Sequence, residues 1–158
     1  MSQFYGTHQN RLDAKGRVSV PAPFRAELRT VGDTRPPALI LRCSHTHSCI
    51  EAWPVAEFER LATPLDRLDV FSEAQDDLQT ALYADAHRVE PDKDGRISLP
   101  GSLVQYANLT ETVAFVGAGR IFRIWEPAAA AERLAAAVER TRTRGLTLPG
   151  SPPLGAPS

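Results

Sequence analysis

Two five-residue segments of the chain share the pattern D-x-x-G-R, which places an arginine directly after a glycine. The residues of interest are Asp13, Lys15, Gly16 and Arg17 in the first segment and Asp92, Lys93, Gly95 and Arg96 in the second. A guanidinium at the tip of a turn can bond two acceptors on a guanine edge, and a glycine lets backbone amides approach a phosphate. Both segments therefore have side chains suited to binding DNA, with Arg17 and Arg96 as the best candidates for base contact.

The aspartates of the two segments carry the wrong charge to bind a phosphate. We therefore predict that Asp13 and Asp92 hold their loops by accepting backbone N–H bonds or by orienting the arginine four residues later. Lys15 supplies a phosphate-binding amine in the first segment, whereas Asp94 occupies the matching position in the second segment and offsets Lys93. The second segment should consequently bind phosphate more weakly than the first.

The D-x-x-G-R motif belongs to a longer internal repeat. Residues 13–21 return as residues 92–100 at a constant offset of 79, and Trp53 matches Trp125 at an offset of 72. The smaller second offset predicts a longer connection in the first copy, around residues 33–37. Each copy has the predicted order strand, loop, strand, short helix, hairpin ending in tryptophan, and helix. A single D-x-x-G-R motif is more often a stable turn with a solvated arginine, so the duplication is what favours a binding role.

The repeat divides the chain into four predicted segments. These are a first module at residues 1–62, a linking helix region at 63–82, a second module at 83–140 and a disordered C-terminal tail at 141–158. The linking region contains a capping box at residues 72–75 and an apolar pair, Leu78 and Leu82, which predict a helix over residues 72–84. From residue 149 onward, eight of ten residues are Pro, Gly or Ser, a composition that cannot form a packed core.

Length and composition limit the classes of protein to which the chain can belong. With 158 residues, of which 42% are apolar, the chain can bury a core, but one copy alone would leave strand edges unpaired. We therefore expect the two copies to pack as one body and the protein to form homo-oligomers. The sequence has no apolar run long enough to span a membrane and no recognisable signal peptide, so we expect a cytoplasmic protein without a membrane partner.

The formal net charge of −1 conceals an uneven distribution. Residues 1–35 carry a net charge of +3, residues 36–87 carry −6, and residues 88–158 carry +2. The two motif-bearing segments are therefore basic and the link between them is acidic. This distribution is compatible with local contacts to a polyanion, although the average charge argues against a uniformly basic surface.

Four potential metal ligands lie close together in the sequence, at Cys43, His45, His47 and Cys49. Their spacing of every second residue differs from the usual zinc patterns, and the segment falls between two predicted strands. A polar hairpin turn is the favoured interpretation, and a metal site or a disulfide is the alternative. Residues 117–119, Gly-Ala-Gly, join two predicted strands and favour a turn over a nucleotide-binding loop. We expect no metal, cofactor or small-molecule substrate.

Taken together, these motifs resemble the MraZ family of transcriptional regulators, which contain two tandem SpoVT/AbrB-type modules. The resemblance covers residues 1–140. It rests on Phe4-Tyr5-Gly6, on the two D-x-x-G-R loops followed by an apolar strand and a proline, and on the tryptophan and helix that end each half. The implied fold is α+β, mainly β, with two tandem swapped-hairpin barrel modules that form a pseudo-symmetric body with short helices.

The same resemblance implies a function. Members of this family are bacterial proteins that assemble into a closed ring and bind direct repeats of double-stranded DNA. The implied target is the promoter of the division and cell-wall gene cluster, which includes the regulator's own gene. Asp13, Arg17, Asp92 and Arg96 match the DNA-binding motif positions of the family.

The chain departs from the family pattern at three positions in its second copy. Asp85 stands where glycine is favoured, Pro91 stands where a branched apolar residue is usual, and Asp94 replaces an amine. The change at Asp94 bears directly on how strongly the second loop binds phosphate.

Three classes of function are distinguished by these observations. The prediction is a DNA-binding transcriptional regulator that is cytoplasmic and associated with the nucleoid. The alternative is a non-catalytic structural or protein-binding ring without DNA specificity, which predicts the same oligomer but no salt-sensitive affinity for DNA. An enzyme is disfavoured because no nucleophile, base and orienting group occur at a recognisable spacing.

Overall fold

The computed structural model of the chain describes residues 3–29 and 36–150. The strands in these ranges are β1 (Thr7–Arg11), β2 (Arg17–Ser19), β3 (Leu39–Cys43), β4 (Ile50–Pro54), β5 (His87–Val89), β6 (Arg96–Ser98), β7 (Thr112–Gly117) and β8 (Phe122–Trp125). The helices in these ranges are α1 (Ala22–Leu28), α2 (Val55–Glu59), α3 (Ala62–Leu65), α4 (Glu73–Tyr83), α5 (Gly101–Tyr106) and α6 (Pro127–Thr143). The predicted α+β fold class, dominated by an antiparallel sheet, is confirmed.

Six of these strands form one open sheet in the order β1-β7-β8-β4-β3-β5, and β2 and β6 form a separate two-stranded ladder. Among the described strands, the predicted barrel modules do not form a closed barrel, because β1 and β5 are edge strands at opposite ends of the sheet. The short strands β2 and β6 pair with each other and therefore do not close the sheet. We call the β2–β6 pair the tip ladder.

Strands of the two copies are intermixed in both sheets, and each copy also contributes one hairpin of its own, β3–β4 or β7–β8, to the larger sheet. β1 pairs with β7, β2 with β6, β3 with β5, and β4 with β8, all antiparallel. Although β1 and β2 are adjacent in sequence, they do not form a paired hairpin, and a hydrogen bond from Asn10 Nδ2 to the carbonyl of Ser19 (2.6 Å) links them. Each copy therefore depends on the other for its strand partners, which confirms the swapped-hairpin arrangement.

The register shows a pseudo-twofold relation between the copies. His8 lies opposite Phe115, and its repeat equivalent His87 lies opposite Leu41. Val18 lies opposite Ile97, which is also its repeat equivalent at the offset of 79. When a residue faces its own equivalent, a twofold axis passes between the two. The pseudo-twofold axis therefore passes between Val18 and Ile97, at the centre of the tip ladder.

The same axis passes through the middle of the six-stranded sheet. Glu51 on β4 lies opposite Arg123 on β8, and these two positions are equivalent at the offset of 72. The side chains depart from the symmetry of the backbone at this pair, because the two equivalent residues carry opposite charges.

The register also locates the extra length of the first copy. Leu41 and Phe115 are equivalent because they face equivalent histidines, which gives an offset of 74 for β3 and β7. The offset falls from 79 to 74 before β3, so the first copy has five extra residues there. It falls again from 74 to 72 in the β3–β4 turn, where the first copy has two more. The predicted longer connection around residues 33–37 accounts for the five, and residues 33–35 lie outside the described residues.

The hydrophobic core lies on one face of the six-stranded sheet, beneath α1, α5 and the tip ladder. Phe4, Phe24 and Phe122 are almost fully buried, and their ring centroids lie 4.9 to 5.4 Å apart. Val18 and Ile97 enter the same core from the tip ladder. Burial of each such side chain stabilises the fold by about 1.5–3 kcal/mol, which anchors the tip ladder to the sheet.

The opposite face of the sheet contains a buried ion pair. Arg42 Nη1 donates to Glu51 Oε1 at 2.5 Å, and Trp53 Nε1 donates to the same oxygen at 3.1 Å. Arg42 Nη2 donates to the carbonyl of Ala81 at 3.0 Å, which ties α4 to β3. Because both charges are almost fully buried, removing either partner alone would leave an uncompensated charge in the interior.

The predicted helix in the acidic link is confirmed as α4. Ser72 is its N-cap, and the Ser72 hydroxyl accepts the backbone N–H of Gln75 at 3.1 Å. The Gln75 side chain accepts the N–H of Phe71 at 3.3 Å, one residue before the N-cap. The helix ends at Ala84 as its C-cap, in agreement with the range predicted from the capping box.

The described residues from 128 onward belong to a separate compact unit, which contains most of α6. The spacing of four residues between Leu134 and Val138 predicts that both side chains face inward. Their exposed fractions are instead 60% and 57%. The helix continues to Thr143, into the segment for which a disordered tail is predicted, and residues 151–158 lie outside the described residues. No helix among the described residues has both the length and the hydropathy needed to cross a membrane.

Gly117 provides a test of the fold, because the segment before β1 crosses it in close contact. A Cβ at Gly117 would lie 2.4 Å from the Tyr5 Cα and 2.5 Å from the Tyr5 nitrogen, both backbone atoms that cannot move independently. We expect Gly117→Ala to lower the free energy of unfolding, measured by urea denaturation, by about 2 kcal/mol or more. Gly101→Ala is the matched control, since a Cβ there meets nothing within 4 Å at the start of α5. Equal stability of the two variants would contradict the register of β1 and β7.

Candidate nucleic-acid interface

The first loop, residues 13–17, is organised around the carboxylate of Asp13. Its Oδ1 accepts the backbone N–H groups of Lys15 and Arg17 at 2.9 and 2.8 Å, and its Oδ2 accepts Arg17 Nε at 2.9 Å. The backbone closes the loop through the N–H of Asp13, which donates to the carbonyl of Arg17 at 2.9 Å. Asp13 thus makes both kinds of contact that the sequence predicts, because it accepts backbone N–H bonds and orients the arginine.

The second loop, residues 92–96, repeats this geometry with one addition. Asp92 Oδ1 accepts the N–H groups of Asp94 and Arg96, both at 2.9 Å, and Asp92 Oδ2 lies 3.3 Å from Arg96 Nε. The addition is Asp94, whose Oδ2 lies 3.5 Å from Arg96 Nη2. The guanidinium of Arg96 is therefore shared between two carboxylates, whereas that of Arg17 bonds one.

These hydrogen bonds lower the pKa of both aspartates. The backbone N–H of Arg17 is the largest cause of the lowered pKa of Asp13, and the backbone N–H of Arg96 has the same effect on the pKa of Asp92. A carboxylate with a lowered pKa stabilises the fold above its ordinary pKa of 3.8 and loses that contribution as the pH falls through its folded pKa. Both loops therefore keep their organising charge at neutral pH.

Glycine is required in both loops because the backbone turns through the left-handed region. Gly16 has a φ of +80° and Gly95 a φ of +79°. Residues with a Cβ adopt this region at a cost of about 1–2 kcal/mol. The two glycines therefore give the loops the same tight shape, as the sequence predicts.

The tip ladder joins the two loops. The N–H of Leu99 donates to the carbonyl of Gly16 at 2.8 Å, and the N–H of Val20 donates to the carbonyl of Gly95 at 2.9 Å. Each loop is thus hydrogen-bonded to the strand that follows the other loop. All eight predicted site residues are brought to one region, although the two motifs lie 79 residues apart in sequence.

Strand alternation determines which side chains the tip ladder presents outward. Val18 and Ile97 point into the core, so their neighbours on the same strands point away from it. The outward residues are Arg17, Ser19, Arg96 and Ser98. Because Arg17 is paired with Ser98, Arg17 and Arg96 are diagonal neighbours, with Cα atoms about 7–8 Å apart.

The two loops differ in the freedom of their arginines. Among the described residues, the Nη atoms of Arg17 have no hydrogen-bond acceptor, because Asp13 engages only Nε. Arg96 has Asp94 near its Nη2. The formal charge of the first loop is +1 and that of the second is 0. Arg17 is therefore the better placed of the two arginines to contact a base.

Arg25 on α1 is part of this region and was not predicted from the sequence. Its Nη1 donates to the carbonyl of Val20 at 3.0 Å. A Cβ at Gly95 would lie 2.4 Å from the same Nη1, so the arginine side chain lies directly against the second loop. Val104 is the repeat equivalent of Arg25, and this difference between the copies is the one sequence signal that could have identified it.

The predicted turn between β3 and β4 is confirmed as a polar turn. The Ser44 hydroxyl accepts the N–H groups of Thr46 and His47, both at 3.2 Å. Cys43 and Cys49 do not form a disulfide, and burial together with Asp85 raises the pKa of the Cys43 thiol. Among the described residues, no three His, Cys, Asp or Glu side chains are arranged to hold a metal ion.

Comparison with known proteins agrees with the two-copy architecture. A family profile described as "MraZ protein, putative antitoxin-like" matches residues 3–81 and again residues 82–140. A protein of Gluconacetobacter diazotrophicus, named transcriptional regulator MraZ, is 59% identical over 149 residues, covering 94% of this chain and 93% of that protein. Proteins of the same name from Gluconobacter oxydans and Rickettsia bellii are 57% and 39% identical over 90% and 88% of this chain, and the matches cover 87% and 91% of those proteins.

The two matched segments each contain one D-x-x-G-R loop, one strand of the tip ladder and one tryptophan-ended hairpin. All eight strands of the two matched segments lie before residue 128, and neither copy completes its sheets alone. By the profile match and by identity over nearly its full length, this chain is a member of the MraZ family.

Proposed function

We propose that the protein is a transcriptional regulator that binds double-stranded DNA through the outward face of the tip ladder and its two loops. The DNA-binding residues are Asp13, Lys15, Gly16, Arg17, Asp92, Lys93, Gly95 and Arg96. The observation that carries the proposal is the free pair of Nη atoms of Arg17, held outward by Asp13. The names of the relatives, each a transcriptional regulator MraZ, support the same role.

The shape of the tip ladder supports insertion into the major groove. That groove admits a two-stranded β-ribbon, and its base edges offer the acceptors that an arginine bonds in bidentate fashion. Arg17 and Arg96 lie on the same face of the ladder, with Cα atoms about 7–8 Å apart. Because base pairs rise by about 3.4 Å, the two arginines would reach bases about two steps apart.

Exposed apolar residues support a homo-oligomeric ring. Phe71 has an exposed fraction of 98% and Val70 one of 68%, and Leu134 and Val138 on α6 are more than half exposed. One tip ladder offers few cations and supports only weak binding, whereas a ring would present many ladders to one DNA molecule. Neighbouring subunits related by rotation would then contact successive direct repeats.

The proposed target is the promoter of the division and cell-wall gene cluster, including the gene of the regulator itself. Membership of the MraZ family supports this target. The protein would act in the cytoplasm, associated with the nucleoid, and without catalysis. A structural ring without DNA specificity would bind promoter and scrambled DNA equally weakly.

The central test compares the two arginines. We expect Arg17→Ala to abolish specific promoter binding and Arg96→Ala to weaken it less, because Asp94 already engages Arg96. Loss of a bidentate guanine contact costs about 1–3 kcal/mol per site. The measurement is a gel shift with the DNA upstream of the protein's own gene, and with the same DNA scrambled, while light scattering checks the oligomer. Promoter binding by Arg17→Ala equal to that of the wild type would refute the proposed interface.

We expect Lys15 to bind a DNA phosphate and not to contact the bases. We expect Lys15→Ala to lower the affinity for promoter and scrambled DNA by the same factor, because a point charge carries no base information. The slope of the logarithm of affinity against the logarithm of salt concentration should flatten by about one unit for each phosphate that the lysine neutralises. An effect confined to promoter DNA would instead show that Lys15 reads bases.

Asp13→Asn separates the orienting role of Asp13 from its charge. The amide cannot serve all the donors that the carboxylate of Asp13 accepts, so Arg17 should lose its fixed orientation. We expect promoter affinity to fall while scrambled-DNA affinity stays level or rises, because one negative charge is lost. Asp77→Asn, at an exposed position on α4, removes the same charge away from the loop and is the control. Equal gains on both DNAs for both variants would contradict the orienting role.

A further inference from the structure

Arg25 belongs to α1 of the first copy, but its side chain lies against the second loop. A Cβ at Gly95 would lie 2.4 Å from Arg25 Nη1, 2.7 Å from Cδ and 2.9 Å from Cζ. Only a glycine at position 95 leaves room for the guanidinium there. The bond from Arg25 Nη1 to the carbonyl of Val20, whose own N–H donates to Gly95, fixes the side chain at this place.

The charge of Arg25 is not neutralised locally. Its hydrogen bond goes to a carbonyl, and among the described residues it forms no ion pair with a carboxylate. Other arginines in the described ranges do form such pairs, among them Arg17, Arg42, Arg88 and Arg96. Arg25 is only partly buried, so its remaining N–H groups can reach a ligand from solvent.

Arg25 lies beside the loop that has the smaller positive charge. That loop has a formal charge of 0, because Asp94 stands where the first loop has Lys15. Adding Arg25 gives +1, the charge of the first loop by itself. The first loop has its own lysine, and the helix position equivalent to Arg25 is there an apolar residue, Val104, packed against the core.

We propose that Arg25 is the phosphate-binding cation of the second loop and takes the part that Lys15 has in the first loop. This inference rests on the proposed function, and it adds a ninth residue to the interface. The cation comes from the first copy and the loop from the second, so each second-loop phosphate site needs both copies.

The test uses Arg25→Gln and Arg25→Lys, with Arg88→Gln as a matched control on the exposed strand β5. Fluorescence anisotropy would measure affinity for promoter and scrambled DNA over a salt series. We expect Arg25→Gln to lower the affinity for both DNAs by roughly tenfold. The slope of the logarithm of affinity against the logarithm of salt concentration should become less steep by about one unit for each phosphate that Arg25 neutralises. Arg25→Lys should retain most of the affinity, and Arg88→Gln should behave as wild type.

Charge compensation supplies a second and independent arm. Asp94→Lys gives the second loop the amine of the first, so combined with Arg25→Gln it should restore the affinity and the salt slope. Asp94→Lys alone leaves Arg25 in place, and it should raise the affinity for both DNAs and steepen the salt slope. No gain from Asp94→Lys in either background would overturn the proposal, even if Arg25→Gln proved unstable.

The outcomes for Arg25 and for the proposed function are distinguishable. If Arg17→Ala loses promoter binding while Arg25→Gln matches wild type on both DNAs, the inference about Arg25 fails and the interface stands. If Arg25→Gln loses promoter binding alone and keeps its salt slope, Arg25 positions the loop and does not bind phosphate, which also overturns the inference. If Arg17→Ala itself has no effect on promoter binding, the proposed function fails. The inference about Arg25, which rests on that function, then fails as well.

Discussion

The exchange of strands between the two copies is the constraint on which the rest of the structure depends. Among the described strands, β2 forms a ladder only with β6, and β1 and β5 each pair only with a strand of the other copy. Isolated two-stranded ladders are marginally stable in water, so the tip ladder depends on Val18 and Ile97 being buried in the shared core. The same pairing places both D-x-x-G-R loops side by side, and the geometry of the proposed interface thus follows from the fold.

On this nearly symmetric backbone the two loops carry different charges. Asp13 and Asp92 organise their loops by the same hydrogen bonds, and both glycines turn through the same region of φ. The difference lies in Asp94, which engages Arg96. Backbone geometry has been kept in both loops while the source of positive charge differs.

Much of this architecture could be predicted from the sequence, because it is encoded locally. The D-x-x-G-R turns, the N-cap at Ser72 and the polar turn between β3 and β4 depend on residues within a few positions of one another. The constant offset of 79 predicted two equivalent copies. Local patterns could not decide whether β2 would pair with β1 or with β6, since either arrangement buries Val18.

What the sequence did not reveal depends on contacts between distant residues. Arg25 was missed because its neighbour Gly95 lies 70 residues further along the chain and meets it only after strand exchange. The sequence could not show that the barrel modules stay open, because β2 and β6 pair with each other and do not complete the larger sheet. Leu134 and Val138 were expected to be buried because their helical spacing is the same for a core face and for an exposed one.

The oppositely charged residues at the centre of the sheet bear on how such a protein can have diverged. Glu51 and Arg123 face each other on the pseudo-twofold axis. In an ancestral dimer of identical modules, any residue at that position would meet its own copy, and two glutamates or two arginines directly opposite would repel each other. Opposite charges can face each other at this place only because the two halves differ in sequence. The two halves are therefore not interchangeable: a second half paired with itself would bring two arginines together at the axis, and a first half would bring together two glutamates, each bound to the Arg42 of its own copy.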